Sequence, residues 1–268
     1  DGLLDMLLPC VAPMRSLGRG GFHHLDVLGH TLEALILADR LISAPRRVFS
    51  QAAHVFDAYL RRPDSRAALR AAVLFHDLGK PDTYRRTSDN RSLFYGHEEL
   101  GAQRAEKILR DWGWPRSLRD TVAQLIDAHL RPSQLARGSL EQGQPVTDRA
   151  LRHIQADMGE HLPALFLLAA ADIQASRGPA TSPVEQYIML ALLDEMMGRT
   201  ERLNEIPART RLVTGRDLMD TLGLPPGPEL GRLLDAVEEA HEKGQIATRQ
   251  DALDLARRLA RQAQPRQT

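Results

Sequence analysis

"LFHDLGKP" (residues 74–81) sets His76 and Asp77 side by side at the end of an apolar run and follows them with Gly79 and Pro81. The run before it, "ALRAAVLF" (68–75), reads as the buried face of a helix over about 66–78. Adjacent helical residues point about 100° apart, so one flat surface cannot easily use both. A single point in space near a helix end can, and a metal ion is such a point. Gly79 and Pro81 read as the stop of that helix.

The rest of the chain repeats the helical pattern. Its 268 residues carry 35 Lys and Arg against 35 Asp and Glu, and only 4% are aromatic. Good helix formers dominate and β-branched runs are nearly absent. The fold class is therefore all-α. Helices are predicted over roughly 25–43, 47–61, 66–78, 98–112, 116–130, 147–157, 161–177, 184–203, 215–222, 229–243 and 250–262, with Thr147 and Thr214 as N-caps. Segments 81–97 and 131–146 read as long loops, Pro132 as the residue after a helix stop, and 204–214 as a linker into a small C-terminal helical unit. The division expected is 1–203 and 204–268.

Composition also excludes some classes. The single Cys10 rules out an internal disulfide and suits a reducing cytosol, so a cytoplasmic protein is expected. "LPALFLLAAADI" (162–173) is too short to span a membrane, and no cationic segment precedes an apolar one as in a secretion signal. Balanced charge argues against bulk electrostatic capture of nucleic acid, though not against local basic patches. The chain starts at Asp1 rather than Met, as a processed product or a piece of something longer would.

Of the ten histidines, His54, His153, His161 and His241 have polar neighbours and read as surface residues. His30 shares a stripe with Leu37 and Leu41, and His129 follows Val122, Leu125 and Ile126 at helical spacing. Asp172 follows Leu165, Leu168 and Ala169 in the same way, and an unpaired buried Asp needs a cation or a strong donor. His97 opens the helix after "FYG". Five helices thus each bring an imidazole or carboxylate to an apolar interface. That ligand set suits Zn, Mn, Fe, Ni or Co, with the carboxylates leaning toward Mg or Mn. With one cysteine, a structural zinc finger is excluded.

The order H…HD…H…H…D, here His30, His76–Asp77, His97, His129 and Asp172, resembles the HD-domain superfamily of metal-dependent phosphohydrolases. The resemblance implies one divalent ion held by His30, His76, Asp77 and Asp172. It makes His97 and His129 candidate ligands of a second ion, or groups that position phosphate. Four blocks narrow the match: "FHHLDVLGHTLEAL" (22–35), "HDLGKP" (76–81), "YGHEELGA" (95–102) and residues 213–256. Together they resemble the C-terminal half of bacterial tRNA nucleotidyltransferases and poly(A) polymerases. The Gly-Ser turn, paired strand aspartates and Arg-Arg-Asp motif of the nucleotide-adding head have no match here, so nucleotide addition by this chain alone is not expected. What the resemblance implies instead is 2′,3′-cyclic phosphodiesterase, 2′-nucleotidase or phosphatase chemistry on a nucleotide or RNA-end phosphate.

In that chemistry a divalent ion lowers the pKa of a water from about 15.7 to near 7. Asp77 and Lys80 are the expected catalytic pair, with Lys80 offsetting phosphate charge; otherwise Lys80 stabilises a helix C-terminus, worth about 0.3–1 kcal/mol. Substrate contacts are expected from Lys80, His97, Arg177 and the basic loop residues Arg85, Arg86 and Arg91. His23 and His24 read as outer-sphere donors or a structural cap, and Glu98 as a proton carrier or a favourable first-turn acid. The turn "LPPGPELG" (224–231) and Arg257, Arg258 and Arg261 are further candidates for RNA backbone contact. Two other readings stand beside the hydrolase. One is a tRNA-binding body and tail with a structural or vestigial metal. The other is a hydrolase of (p)ppGpp or deoxynucleotides, against which the C-terminal resemblance argues.

Overall fold

A computed structural model describes residues 2–15, 17, 25–88, 92–178, 181–205, 212–242 and 244–263. The chain divides into two compact units, Asp1–Glu205 and Ile206–Thr268. The first holds α1 (Gly2–Leu7), α2 (Val27–Ser43), α3 (Ala53–Leu60), α4 (Ser65–Phe75), α5 (Lys80–Thr83), α6 (His97–Asp111), α7 (Arg116–Ala128), α8 (Leu130–Gln142), α9 (Asp148–Met158), α10 (Leu162–Ala175) and α11 (Pro183–Glu205). Single 3₁₀ turns at Pro9–Met14, Pro45–Arg47 and Gly159–His161 join some of them. A hairpin of two-residue strands, β1 (Arg85–Arg86) and β2 (Ser92–Leu93), pairs Arg85 with Leu93 and Arg86 with Ser92. The fold is all-α, as the composition predicts.

α10 organises this unit. Leu162 to Ala171 are all buried, as are Ile173 and Ala175, while Asp172 and Gln174 are half-buried. A helix that is apolar all round must be surrounded, and α10 packs against α2, α3, α4, α7, α8, α9 and α11. α2 lies along α4, α4 along α7, and α6 along α7. Each of those helices turns an apolar stripe inward, including Leu28, Leu37 and Leu41 of α2, Leu69 and Val73 of α4, and Val122, Leu125 and Ile126 of α7.

Three local readings are corrected. Residues 131–146 are mostly α8 rather than a loop. Pro132 sits in the first turn of that helix, where a missing N–H costs no intrahelical bond, so it opens a helix instead of following one. The helix predicted over 47–61 begins only at Ala53, because buried Asp194 of α11 captures the preceding turn. Its carboxylate accepts from Ser50 Oγ at 2.7 Å and from the Gln51 N–H at 3.0 Å. Segment 81–97 is not one loop either; it contains α5 and the hairpin. His23, His24, Arg91 and residues 206–211 of the expected linker lie outside the described residues.

The second unit packs α12 (Gly215–Leu222), α13 (Pro228–Glu242) and α14 (Arg249–Ala263) around Leu218, Leu233, Val237, Ala252 and Ala256. Thr214 caps α12 in a reciprocal capping box with Asp217, and Thr147 caps α9, as the sequence predicts. Among the described residues, no helix is long and apolar enough to cross a membrane.

Asp217 is bound by the Arg249 guanidinium and by the Thr214 backbone and hydroxyl, which hold its carboxyl well below the usual range. A carboxyl with a lowered folded-state pKa stabilises fully above its unfolded value, about 3.9, and loses that contribution as pH falls. Amide exchange in α12 should therefore accelerate as pH is lowered from about 5 toward 2, after correction for intrinsic rates. Asp217→Asn should blunt the change, with a remainder from Asp251, whose carboxyl is lowered by its bonds to Thr248 and Ala247. An unchanged acid profile in Asp217→Asn would show that the capping box does not govern this response.

Candidate metal centre

Six side chains from five helices converge at helix ends. His30 lies in the first turn of α2, whose N-cap Asp26 accepts from the Gly29 N–H at 2.8 Å. His76 and Asp77 follow α4 directly, and His129 follows α7. His97 is the first residue of α6, entered through Gly96 at φ 76°, a left-handed conformation that favours glycine. Asp172 lies in the last turn of α10.

Three of the imidazoles are oriented in the same way. Nδ1 of His76, His97 and His129 lies 2.8, 2.8 and 2.6 Å from the backbone carbonyls of Val73, Phe94 and Ile126, each three residues back. A carbonyl can only accept, so each Nδ1 carries the hydrogen, and each ring in its neutral form turns an Nε2 lone pair the other way.

Those lone pairs meet two carboxylates. The ligand atoms of His30, His76 and Asp172 lie within 4.8 Å of one another, and so do those of Asp77, His97 and His129. Asp77 joins the two groups. Its Oδ2 is 3.3 Å from His76 Nε2 and 3.9 Å from His30 Nε2, while its Oδ1 is 3.5 Å from His97 Nε2. Asp172 Oδ1 is 2.9 Å from His30 Nε2 and 3.8 Å from His76 Nε2. His97 Nε2 and His129 Nε2 face each other at 3.3 Å. His76 Nε2 and Asp77 Oδ1 are buried and make no hydrogen bond among the described residues.

This is a buried pocket with a surplus of acceptors, and a buried acceptor without a partner costs about 1–3 kcal/mol. Divalent cations supply what the donor set lacks, so these residues fit one or two such ions.

The electrostatics agree. Burial pushes the His129 imidazolium down, as do the charges of His76 and His97, to a pKa of about 3, so the ring is neutral at physiological pH. Burial raises the Asp77 carboxyl, but His76 and Lys80 outweigh it and hold it well below its ordinary value. Burial likewise opposes ionisation of Asp172, and the hydrogen bond and charge of His30 overcome it. For His76, burial disfavours the cation, yet Asp77 and Asp172 draw its pKa upward.

Lys80 does not project freely toward solvent. Its Nζ is 2.7 Å from Asp77 Oδ2 and lies over the Phe94 ring at 5.4 Å from the centroid. Glu98 Oε2 is 3.3 Å from His97 Nδ1, the ring nitrogen that also faces the Phe94 carbonyl. Arg85 and Arg86 are exposed on β1. Arg177 turns to Glu33, at 3.6 Å, and to the Gln174 carbonyl, at 3.0 Å. His161 is not a plain surface residue; it is half-buried between the hydroxyls of Tyr59 and Thr121, at 3.4 and 3.3 Å.

A cavity of about 240 Å³ adjoins Asp172 and is lined also by Ser133, Arg137, Glu185 and Gln186. Ser133 and Arg137 fall in the segment read as a loop. Their spacing of four from His129 was the available signal. A larger cleft, about 580 Å³, around Arg62 and His161 shares no lining residue with the centre.

Gly79 explains how the HD turn and α6 fit together. Its φ of −82° needs no glycine, but a Cβ there would lie 2.1 Å from the His97 carbonyl oxygen and 2.9 Å from the Gly101 nitrogen. The residue permits a close backbone crossing rather than stopping a helix. Gly79→Ala should cost about 1–3 kcal/mol or more in denaturant unfolding, since neither neighbour is a flexible side chain. Gly138→Ala, within α8 and facing open space, should gain about 0.5–1 kcal/mol. Equal stability of Gly79→Ala and the parent chain would show that the crossing yields.

Residues 27–191 match the HD domain, and residues 189–256 match a family described as "tRNA nucleotidyltransferase domain 2 putative". The chain is 34% identical over 260 residues to the A-adding tRNA nucleotidyltransferase of Deinococcus radiodurans, covering 97% of this chain and 52% of that protein. It is 34% identical over 253 residues to the CC-adding tRNA nucleotidyltransferase of Thermus thermophilus, covering 94% and 49%. The chain thus spans about half the length of these relatives. The resemblance carried by the four sequence blocks holds, and the chain belongs to the HD-domain family.

Proposed function

We propose that this chain is a tRNA-directed HD protein whose centre is a metal-dependent phosphohydrolase for nucleotide or RNA-end phosphate esters. The reaction would be of the 2′,3′-cyclic phosphodiesterase, 2′-nucleotidase or phosphatase type. The observation that carries the hydrolase part is the buried surplus of acceptors, six ligand-type side chains with Lys80 Nζ 2.7 Å from Asp77 Oδ2. In this reading residues 1–203 carry the centre and residues 204–268 the tail. His30, His76, Asp77 and Asp172 would hold one divalent ion (Mn, Ni, Co, Mg, Fe or Zn), and His97 and His129, with Asp77, would hold a second. A bound ion supplies Lewis acidity toward phosphoryl oxygens and a nucleophile from water at neutral pH.

The chain's own residues do the rest. Lys80 Nζ holds Asp77 Oδ2 and offsets its charge, so that an anionic ester is less repelled. Asp77 Oδ1, which makes no hydrogen bond among the described residues, faces His97 Nε2 at 3.5 Å and would turn its charge to the second ion. Arg85 and Arg86, exposed on β1, would contact the substrate chain, and Arg177 would do so on release from Glu33.

A second reading is favoured more directly by the relatives. Both proteins matched along nearly the whole chain are named for adding nucleotides to tRNA, not for hydrolysis. It makes the chain a tRNA-binding body and tail with a structural or vestigial metal.

Hydrolysis of 2′,3′-cyclic AMP with Mn, Ni, Co, Mg or Zn should separate the two. Metal-dependent product that Asp77→Ala abolishes supports the hydrolase. No turnover with any metal, combined with tRNA affinity that survives chelation, would reject the hydrolase and leave the binding body.

A further inference from the structure

The centre is sealed on nearly every side. His30, His76, Asp77, His97 and His129 expose at most 6% of their side chains, whereas Asp172 exposes 20%. Asp172 also lines the cavity of about 240 Å³, which among the described residues gives an approach to the ligand cluster. At about 30 Å³ per water it has room for roughly eight waters, more than a five-atom phosphate group fills.

α8 forms one wall of this approach. His129, Ser133 and Arg137 are spaced four apart, so they form a single stripe running from the buried cluster outward. Ser133 Oγ is buried and makes no hydrogen bond among the described residues. Arg137, half-exposed, reaches Glu185 of α11 with Nη1 2.7 Å from Oε1. A buried hydroxyl without a hydrogen bond among the described residues and a guanidinium held by one half-buried carboxylate, both lining a cavity with room for phosphate, suit an anion subsite. The arginine fork matches phosphate as it matches carboxylate.

We infer that Ser133 and Arg137 bind the phosphate of the substrate, and that Glu185 occupies Arg137 until an anion displaces it. This rests on the phosphohydrolase reading and names the residues that would take the substrate's phosphate in it. Asp172 and Glu185 also line the cavity, so its own charge disfavours an anion. Phosphate should therefore bind only once a cation offsets Asp172.

The test uses the full chain, Mn²⁺ and inorganic phosphate. Free Mn²⁺ is followed by electron paramagnetic resonance, and phosphate binding by ³¹P line broadening from the bound ion. Arg137→Gln should weaken phosphate binding about tenfold, the order expected for a lost charged hydrogen bond, with Mn²⁺ affinity unchanged. Ser133→Ala should weaken it less. Glu185→Gln should strengthen it, because the competing carboxylate is gone. Arg131→Gln carries the same charge change as Arg137→Gln, but Arg131 pairs with Asp157 and does not line the cavity, so it should leave binding unaltered.

Unchanged binding in Arg137→Gln, or equal weakening in Arg131→Gln, would overturn the subsite. So would a wild-type chain that binds Mn²⁺ but broadens no phosphate signal. Phosphate binding with the expected variant pattern, but no turnover of any ester, would keep the subsite and reject hydrolysis.

Discussion

The structure depends on one repeated bond, a histidine Nδ1–H donated to the backbone carbonyl three residues back. For His76 and His129 that carbonyl belongs to the last turn of a helix, and the Ile126 carbonyl accepts the His129 backbone N–H at 3.3 Å as well. The side-chain bond fixes the ring's tautomer and aims Nε2 at the cluster. Ligand orientation is thus set at the helix ends. His97 makes the equivalent bond to Phe94, at the base of the hairpin, which ties that segment to the centre.

Everything else positions those ends. α10 is buried almost throughout because it stands among seven other helices, and it presents Asp172 at its last turn. α2 delivers His30 along one side of it, and the turn after α4 delivers His76 and Asp77. The turn can meet α6 only because Gly79 and Gly101 let two backbones cross without side chains between them. Packing thus brings acceptors together at a cost that hydrogen bonding does not offset, and function and strain occupy the same place.

Much of this was legible in the sequence. Helical periodicity located most elements, because their apolar stripes are wide, and the polar breaks in those stripes picked out His30, His129 and Asp172. Where reading failed, tertiary structure had changed the meaning of a residue. Pro132 looks the same at a helix start as after a stop, and the turn after α7 decides which. Gly79 looks like a terminator, yet its need is steric and comes from α6, which follows it in sequence. Arg137 has no local signature; it matters because α11 brings Glu185 opposite and α10 brings Asp172 beneath. The bond from Lys80 Nζ to Asp77 Oδ2, at 2.7 Å, is likewise a distance that no sequence pattern encodes.

The central claim is that the converging acceptors form a divalent-cation site. Equilibrium binding of Mn²⁺ to the full chain, beside Asp77→Asn, tests it most directly. The account predicts one or two saturable ions per chain, lost or strongly weakened in Asp77→Asn while the helical circular dichroism is retained. Saturable binding that Asp77→Asn leaves intact, or no saturable binding by the folded parent chain, would contradict it.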